Sequence, residues 1–149
     1  MGDTTGWTIS SNAITTKQAH GSLQPHSGTY FFSTSGEPAS NAEMKQELDV
    51  SGSECTNLTL QGYYATDSSD KAYAKIHFKD SAGNIIHTQV VLNGGLSPAA
   101  WNEFKGTYTV PAGTVTAVIE LSGSKGATGG QTDVHFDDFN YACGPFPMH

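Results

Sequence analysis

The segment from Tyr73 to Lys79 constrains the fold more than any other. Ala74, Ile76 and Phe78 alternate with Tyr73, Lys75, His77 and Lys79. That is the period of a β-strand with one face in a core. The pattern recurs along the chain. Met44, Gln46, Leu48 and Val50 alternate with Lys45, Glu47 and Asp49. Good helix formers sit in this stretch, but the alternation runs on into Asp49-Val50 and favours a strand. Leu58, Leu60, Gly62 and Tyr64 share one face of another strand. Val115, Ala117, Ile119 and Leu121 point inward on a later one, with Thr116, Val118 and Glu120 outward. Further strands are expected over Trp7–Ile14, Thr29–Ser33, Ile85–Leu92, Trp101–Val110 and Gln131–Tyr141. Turn formers separate them, as in Asp67–Asp70, Asp80–Asn84 and Pro111–Gly113. With 17 Gly and only 14% charged residues, the composition suits a turn-rich all-β protein. Sheets with one apolar face need partners, so the expected fold is a two-sheet antiparallel β-sandwich with about nine strands.

The 149 residues suit a single domain, and no linker, repeat or composition break divides them. Seven Lys and no Arg stand against 14 Asp and Glu, for a net charge of −7. Without any basic run, nucleic acid and anionic membrane surfaces are not expected partners. No apolar run is long enough to span a bilayer, so no membrane insertion is expected. The first residues, Met1 to Trp7, lack the basic start and apolar segment of a signal peptide. The chain is then either cytoplasmic or a mature domain of a secreted protein behind a new Met-Gly. Cys55 and Cys143 lie 88 residues apart. They are either two buried thiols or a disulfide closing a long loop. Asn57-Leu-Thr59 is an N-glycosylation sequon, relevant only outside the cell.

The stretch Gln131-Thr-Asp-Val-His-Phe-Asp-Asp-Phe-Asn-Tyr141 also alternates. Val134, Phe136 and Asp138 are expected on one side, His135, Asp137 and Phe139 on the other. Two adjacent carboxylates in a half-buried strand are costly unless something positive meets them. A hard cation held by oxygens would meet that need. Hydrogen bonds from loop N–H groups are the simpler alternative.

Several features in order resemble the galactose-binding-domain-like jelly roll, in particular its carbohydrate-binding modules for xylans and glucans. They are Gly6-Trp7, His26-Ser-Gly-Thr-Tyr-Phe-Phe32, Gln46-x-Leu48-x-Val50 and Tyr63-Tyr64-Ala65. Trp101-x-x-Phe104-x-Gly-Thr-Tyr-Thr-Val-Pro111 and Val134-x-Phe136-Asp-Asp-Phe139 complete the set. The resemblance implies a structural calcium, with Asp137 as the acidic ligand of the closing strand and Asp138 beside it. It also implies Asp3 as an N-terminal ligand and Ser27 as a main-chain donor. The chain departs from the family before Trp7, where Gly2-Asp3-Thr-Thr-Gly6 replaces the usual Asn-Gly-x-Phe-Glu.

The same resemblance implies that residues 45–50, 72–79, 85–92 and 115–121 share one sheet. Its outward face would display Glu47, Tyr73, Lys75, His77, His87, Gln89 and Glu120. Such a mixture can hold an oligosaccharide or polysaccharide, through polar hydrogen bonds and stacking on an aromatic ring. A plain solvated sheet face is the alternative. Trp101 is a further candidate for stacking, although core or rim packing suits it as well. His77 and His87 would be cross-strand partners rather than metal ligands. The leading function is a non-catalytic glycan-binding module or lectin, extracellular and dependent on calcium for loop stability. A structural or adhesive protein acting as a homo-oligomer comes second. A small glycan-active enzyme using Glu47 and Glu120 comes third, and no established catalytic motif supports it.

Overall fold

A computed structural model describes residues 8–9, 15–17, 31–33, 41–51, 55–66, 71–95, 100–124 and 134–143, with side chains from Glu43 onward. Ten strands form two antiparallel sheets. They are β1 (Thr8–Ile9), β2 (Thr15–Lys17), β3 (Phe31–Ser33), β4 (Asn41–Asp49) and β5 (Asn57–Thr66). Then come β6 (Lys71–Lys79), β7 (Ile85–Gly95), β8 (Asn102–Thr109), β9 (Thr116–Ser124) and β10 (Val134–Cys143). The first sheet runs β1-β4-β9-β6-β7 and the second β2-β3-β10-β5-β8. Consecutive strands repeatedly fall in different sheets, as a β-sandwich jelly roll requires. No helix is present among the described residues.

The alternation in sequence becomes the core. Met44, Ala74, Ile76, Phe78, Ala117, Ile119 and Leu121 project from the first sheet, all wholly buried. Leu58, Leu60, Tyr64, Phe104, Val134 and Phe136 meet them from the second. Residues 41–49 are strand throughout, so tertiary pairing with β9 overrides the local helix propensity. Of the strand expected over Trp7–Ile14, Thr8 and Ile9 form β1, while Trp7 and residues 10–14 lie outside the described residues; β2 follows at Thr15–Lys17 in the other sheet.

Three local devices shape the sandwich. The β6–β7 hairpin turns at Asp80–Asn84, where Asp80 Oδ1 accepts from Ala82 N at 3.0 Å and Asn84 N at 2.9 Å. Gly83 supplies the positive φ of 84° that this turn needs. Cys55 and Cys143 form a disulfide joining the start of β5 to the end of β10, which resolves the choice left open by the sequence. The sequon's Thr59 is buried, its hydroxyl 2.8 Å from that of Thr107 across β5 and β8.

The closing strand departs from simple alternation. Asp137 pairs with Tyr63, but the next pair is Asn140 with Gln61. One extra residue is therefore accommodated on β10, a β-bulge centred where Asp138 takes φ 49°. The bulge reverses the phase of the strand beyond it. Phe139, expected on the side of Asp137, instead packs against the core with its ring 6.4 Å from that of Phe104.

Candidate functional site

Directly paired residues of antiparallel strands point to the same side. The registers of β4, β9 and β6 thus lay out the outward face of the first sheet as rows. Lys45, Glu120 and Lys75 form one row. Glu47, Val118 and His77 form the next, and Thr88 of β7 extends it. Glu43, Ser122 and Tyr73 form a third. Five of the expected ligand-binding residues, Glu47, Tyr73, Lys75, His77 and Glu120, are therefore brought together on one face.

That face is a groove rather than a flat surface. Two adjoining cavities of about 310 and 410 Å³ open on it, and Glu120 lines both. Their combined size falls in the range of small-molecule sites. Lys45, Glu47, His77 and Lys79 surround the first, with Ile85 and Val118 as its apolar lining. Tyr73, Lys75, Glu43, Ser122 and Ser124 surround the second. Val118 points away from the core yet is only 5% exposed, because these longer side chains stand around it.

Glu120 is the hub. Its side chain is 12% exposed and its Oε1 lies 3.4 Å from His77 Nε2 and 3.7 Å from Lys45 Nζ. Lys45 also reaches Glu43 at 3.3 Å. On its far side the His77 ring is fixed by Thr88 Oγ1, 3.0 Å from Nδ1. The imidazole is thus oriented from both nitrogens. The ammonium of Lys75 lies 5.8 Å from the centre of the Tyr73 ring, a cation–π arrangement. The face offers carboxylates, ammonium groups, an imidazole, serine hydroxyls and one aromatic ring, a donor and acceptor set suited to a polyhydroxylated ligand. Glu47 and Glu120 are diagonal neighbours on adjacent strands, Glu120 opposite Lys45 and Glu47 opposite Val118.

Three expected residues lie elsewhere. His87 pairs with Phe78, and its ring stacks on that buried side chain at 6.1 Å. Gln89 pairs with the buried Ile76. Both therefore project to the core side of the sheet, at its edge strand, where Gln89 is half-buried and His87 stays exposed. An extra residue on β7, at the register shift beside Phe78/Lys79, moves Thr88 and Val90 to the outward side in their place, and a second beside Ala74/Lys75 reverses the phase again. Trp101 precedes β8 in the second sheet and packs against Ala65, away from the groove. Lys45 and Lys79 are legible as outward positions of their strands, whereas Ser122 heads a Gly-rich stretch that reads as a loop and is instead part of β9. Their role in the groove depends on register, which alternation does not carry.

The expected metal position is a different environment. Asp137 is wholly buried although it faces away from the core, as are its neighbours His135 and Ala65. Its Oδ1 accepts from Asp138 N at 2.8 Å. A buried carboxylate at a bulge fits one ligand of a hard cation. No group of three or more His, Cys, Asp or Glu among the described residues could hold a metal. Asp3 and Ser27 lie outside the described residues.

No protein-family model and no curated protein matches the sequence. Solved structures do match in fold. The xylan-binding domain CBM22-1 from Paenibacillus barcinonensis Xyn10C superposes with a TM-score of 0.67 at 16% identity, over 95% of this chain and 87% of that one. TmCBM61, solved in complex with β-1,4-galactotriose, gives a TM-score of 0.62 at 18% identity, over 96% and 92%. The enzymatically active domain of bacteriophage CBA120 tailspike protein 4 gives 0.69 at 17% identity; this chain covers 19% of its length. The chain thus has the jelly-roll fold that these carbohydrate-binding modules share, as its sequence motifs suggested.

Proposed function

We propose that this protein is a non-catalytic glycan-binding module whose ligand lies in the groove on the outward face of β4, β9, β6 and β7. The observation that carries the reading is Glu120, a hydrogen-bonding hub shared by two adjoining cavities on a sheet face that would otherwise be solvated. The solved neighbours include domains described as xylan-binding and as bound to a galactotriose. Binding is favoured over catalysis because the Glu120 carboxylate is engaged by Lys45 and His77 rather than left facing an open reaction centre. The Cys55–Cys143 disulfide supports an oxidising, extracellular setting. Asp137 is proposed as the carboxylate ligand of a structural calcium, with Asp3 and Ser27 as further ligands and Asp138 shaping the bulge. Calcium would supply charge neutralisation there and would not touch the sugar. The test is isothermal titration with xylo-oligosaccharides and β-1,4-galacto-oligosaccharides, alongside reducing-end assays. Saturable binding without new reducing ends is expected. Turnover of any oligosaccharide, or no binding to any of them, contradicts the reading.

A further inference from the structure

We infer that the groove selects glycan chains bearing carboxylates, such as uronate-containing polysaccharides, over neutral chains; the inference rests on the glycan-binding reading above. The chain is acidic, with a net charge of −7 and only seven lysines as permanent cations. Three of these, Lys45, Lys75 and Lys79, line the two cavities. Lys45 is engaged by Glu43 and Glu120. The groove acid at the centre, Glu120, is in turn matched by Lys45 and His77. Lys75 and Lys79 take part in none of the ion pairs among the described residues. Each cavity therefore presents one ammonium group not matched by a protein carboxylate. The lining as a whole is balanced, with Glu43, Glu47 and Glu120 against the three lysines, so the preference rests on where the two unpaired ammonium groups stand and not on net charge. In a cleft, an ammonium group held in no ion pair acts on a ligand more strongly than on an open surface.

The arrangement at Tyr73 makes the preference specific. The Lys75 ammonium lies over the ring on which a pyranose would stack. A sugar on that ring moves the ammonium to the sugar's rim. A carboxylate on C5 can accept from it there as a charge-assisted hydrogen bond, roughly twice as strong as one to a neutral hydroxymethyl group. Lys75 and Lys79 are four residues apart on β6, roughly 13 Å along the strand. That exceeds one pyranose ring, so the two would meet carboxylates on different sugars of an extended chain.

The test compares polysaccharides that differ only in the carboxylate: glucuronoxylan, polygalacturonate and alginate, each beside its carboxyl-reduced form, by affinity electrophoresis and titration calorimetry with the full chain. At least one uronate form is expected to bind roughly tenfold more tightly than its reduced partner at low salt. The ratio should shrink in 0.5 M NaCl, roughly as screening shortens. Lys75→Gln and Lys79→Gln should each bring the ratio towards one, with melting curves checking that the variants fold. Equal binding of both forms, or a ratio indifferent to salt and to both substitutions, overturns this inference and leaves the glycan groove standing. Binding to no form of any polymer overturns this inference and the glycan-binding reading together.

Discussion

The outward faces of the two sheets follow the same alternation and arrive at opposite states. On the first sheet, Glu120 and His77 stand 12% and 18% exposed around an open groove, their polar atoms matched by Lys45 and Thr88. On the second, Ala65, His135 and Asp137 are wholly buried at one end. Next to them, starting at Tyr63 opposite Asp137, Gln61, Tyr63 and Glu103 form a more exposed cluster, with Glu103 Oε2 accepting from Gln61 at 2.9 Å and from Tyr63 at 3.1 Å. Polar residues turned away from a core can thus line a cleft, be sealed beneath other segments, or stand in solvent. Exposure on the first face suits a role in binding; burial on the second suits a role in holding the fold. Breaking the two faces separately should therefore have different consequences.

The largest effect is expected from the second sheet's covalent tie. Replacing Cys55 and Cys143 together by Ser removes an 88-residue loop closure, worth about 4–5 kcal/mol in the chain-entropy account. The melting temperature should fall by roughly 10–20 °C. Calorimetry of the variant, or of the reduced protein, checks this, and an unchanged midpoint would show that the tie constrains little.

Asp137→Ala comes next and sharpens the contrast directly. If calcium is held at this buried carboxylate, calcium at a hundredfold excess over Kd should stabilise the wild type over chelator by about 3 kcal/mol, read as a higher melting temperature. That increment should vanish in the variant. A wild-type melting curve indifferent to chelator removes calcium from the account.

On the first face, Glu120→Gln should act on binding and leave the fold alone. Loss of the charged hub is expected to weaken oligosaccharide affinity roughly tenfold. Partly exposed ion pairs contribute little to stability, so the melting temperature should move by no more than about 2–4 °C. A large drop in stability with intact affinity would reverse the roles assigned to the two faces.

The smallest effect belongs to the exposed cluster. The hydrogen bond from Tyr63 to Glu103 holds the Tyr63 phenol above its ordinary range, with slight desolvation and the charges of Glu103 and Asp138 adding to it. A phenol whose folded pKa is raised stabilises the fold below its unfolded pKa, and that contribution is lost as pH rises through the folded value. Glu103→Gln should bring the titration of Tyr63 back towards the ordinary value, seen as an ultraviolet difference signal at alkaline pH. No change would show that the bond to Glu103 does not set it.

The sequence made much of this legible. The alternation in β4, β5, β6 and β9 assigns inward and outward residues, and Glu47, Tyr73, Lys75, His77 and Glu120 follow from it. What it hides is phase. A bulge adds one residue without any distinctive side chain, so His87 and Gln89 change sides on β7 and Phe139 changes sides on β10. Asp138 and Gly94 are bulge residues with a chemical hint, since Gly adopts a left-handed backbone freely and Asp tolerates it better than most residues. Burial on an outward face is equally silent. Val118 and Ala65 are covered by residues distant in sequence, and nothing local announces it.

The account stands or falls on where sugar docks. Backbone amide shifts of the isotopically labelled protein, followed by NMR during titration with xylo- and β-1,4-galacto-oligosaccharides, read this out residue by residue. The account predicts saturable changes concentrated at Lys45, Tyr73, Lys75, His77 and Glu120, with β5 and β8 quiet. Changes centred on Gln61, Tyr63 and Glu103, or no saturable change anywhere, would contradict it.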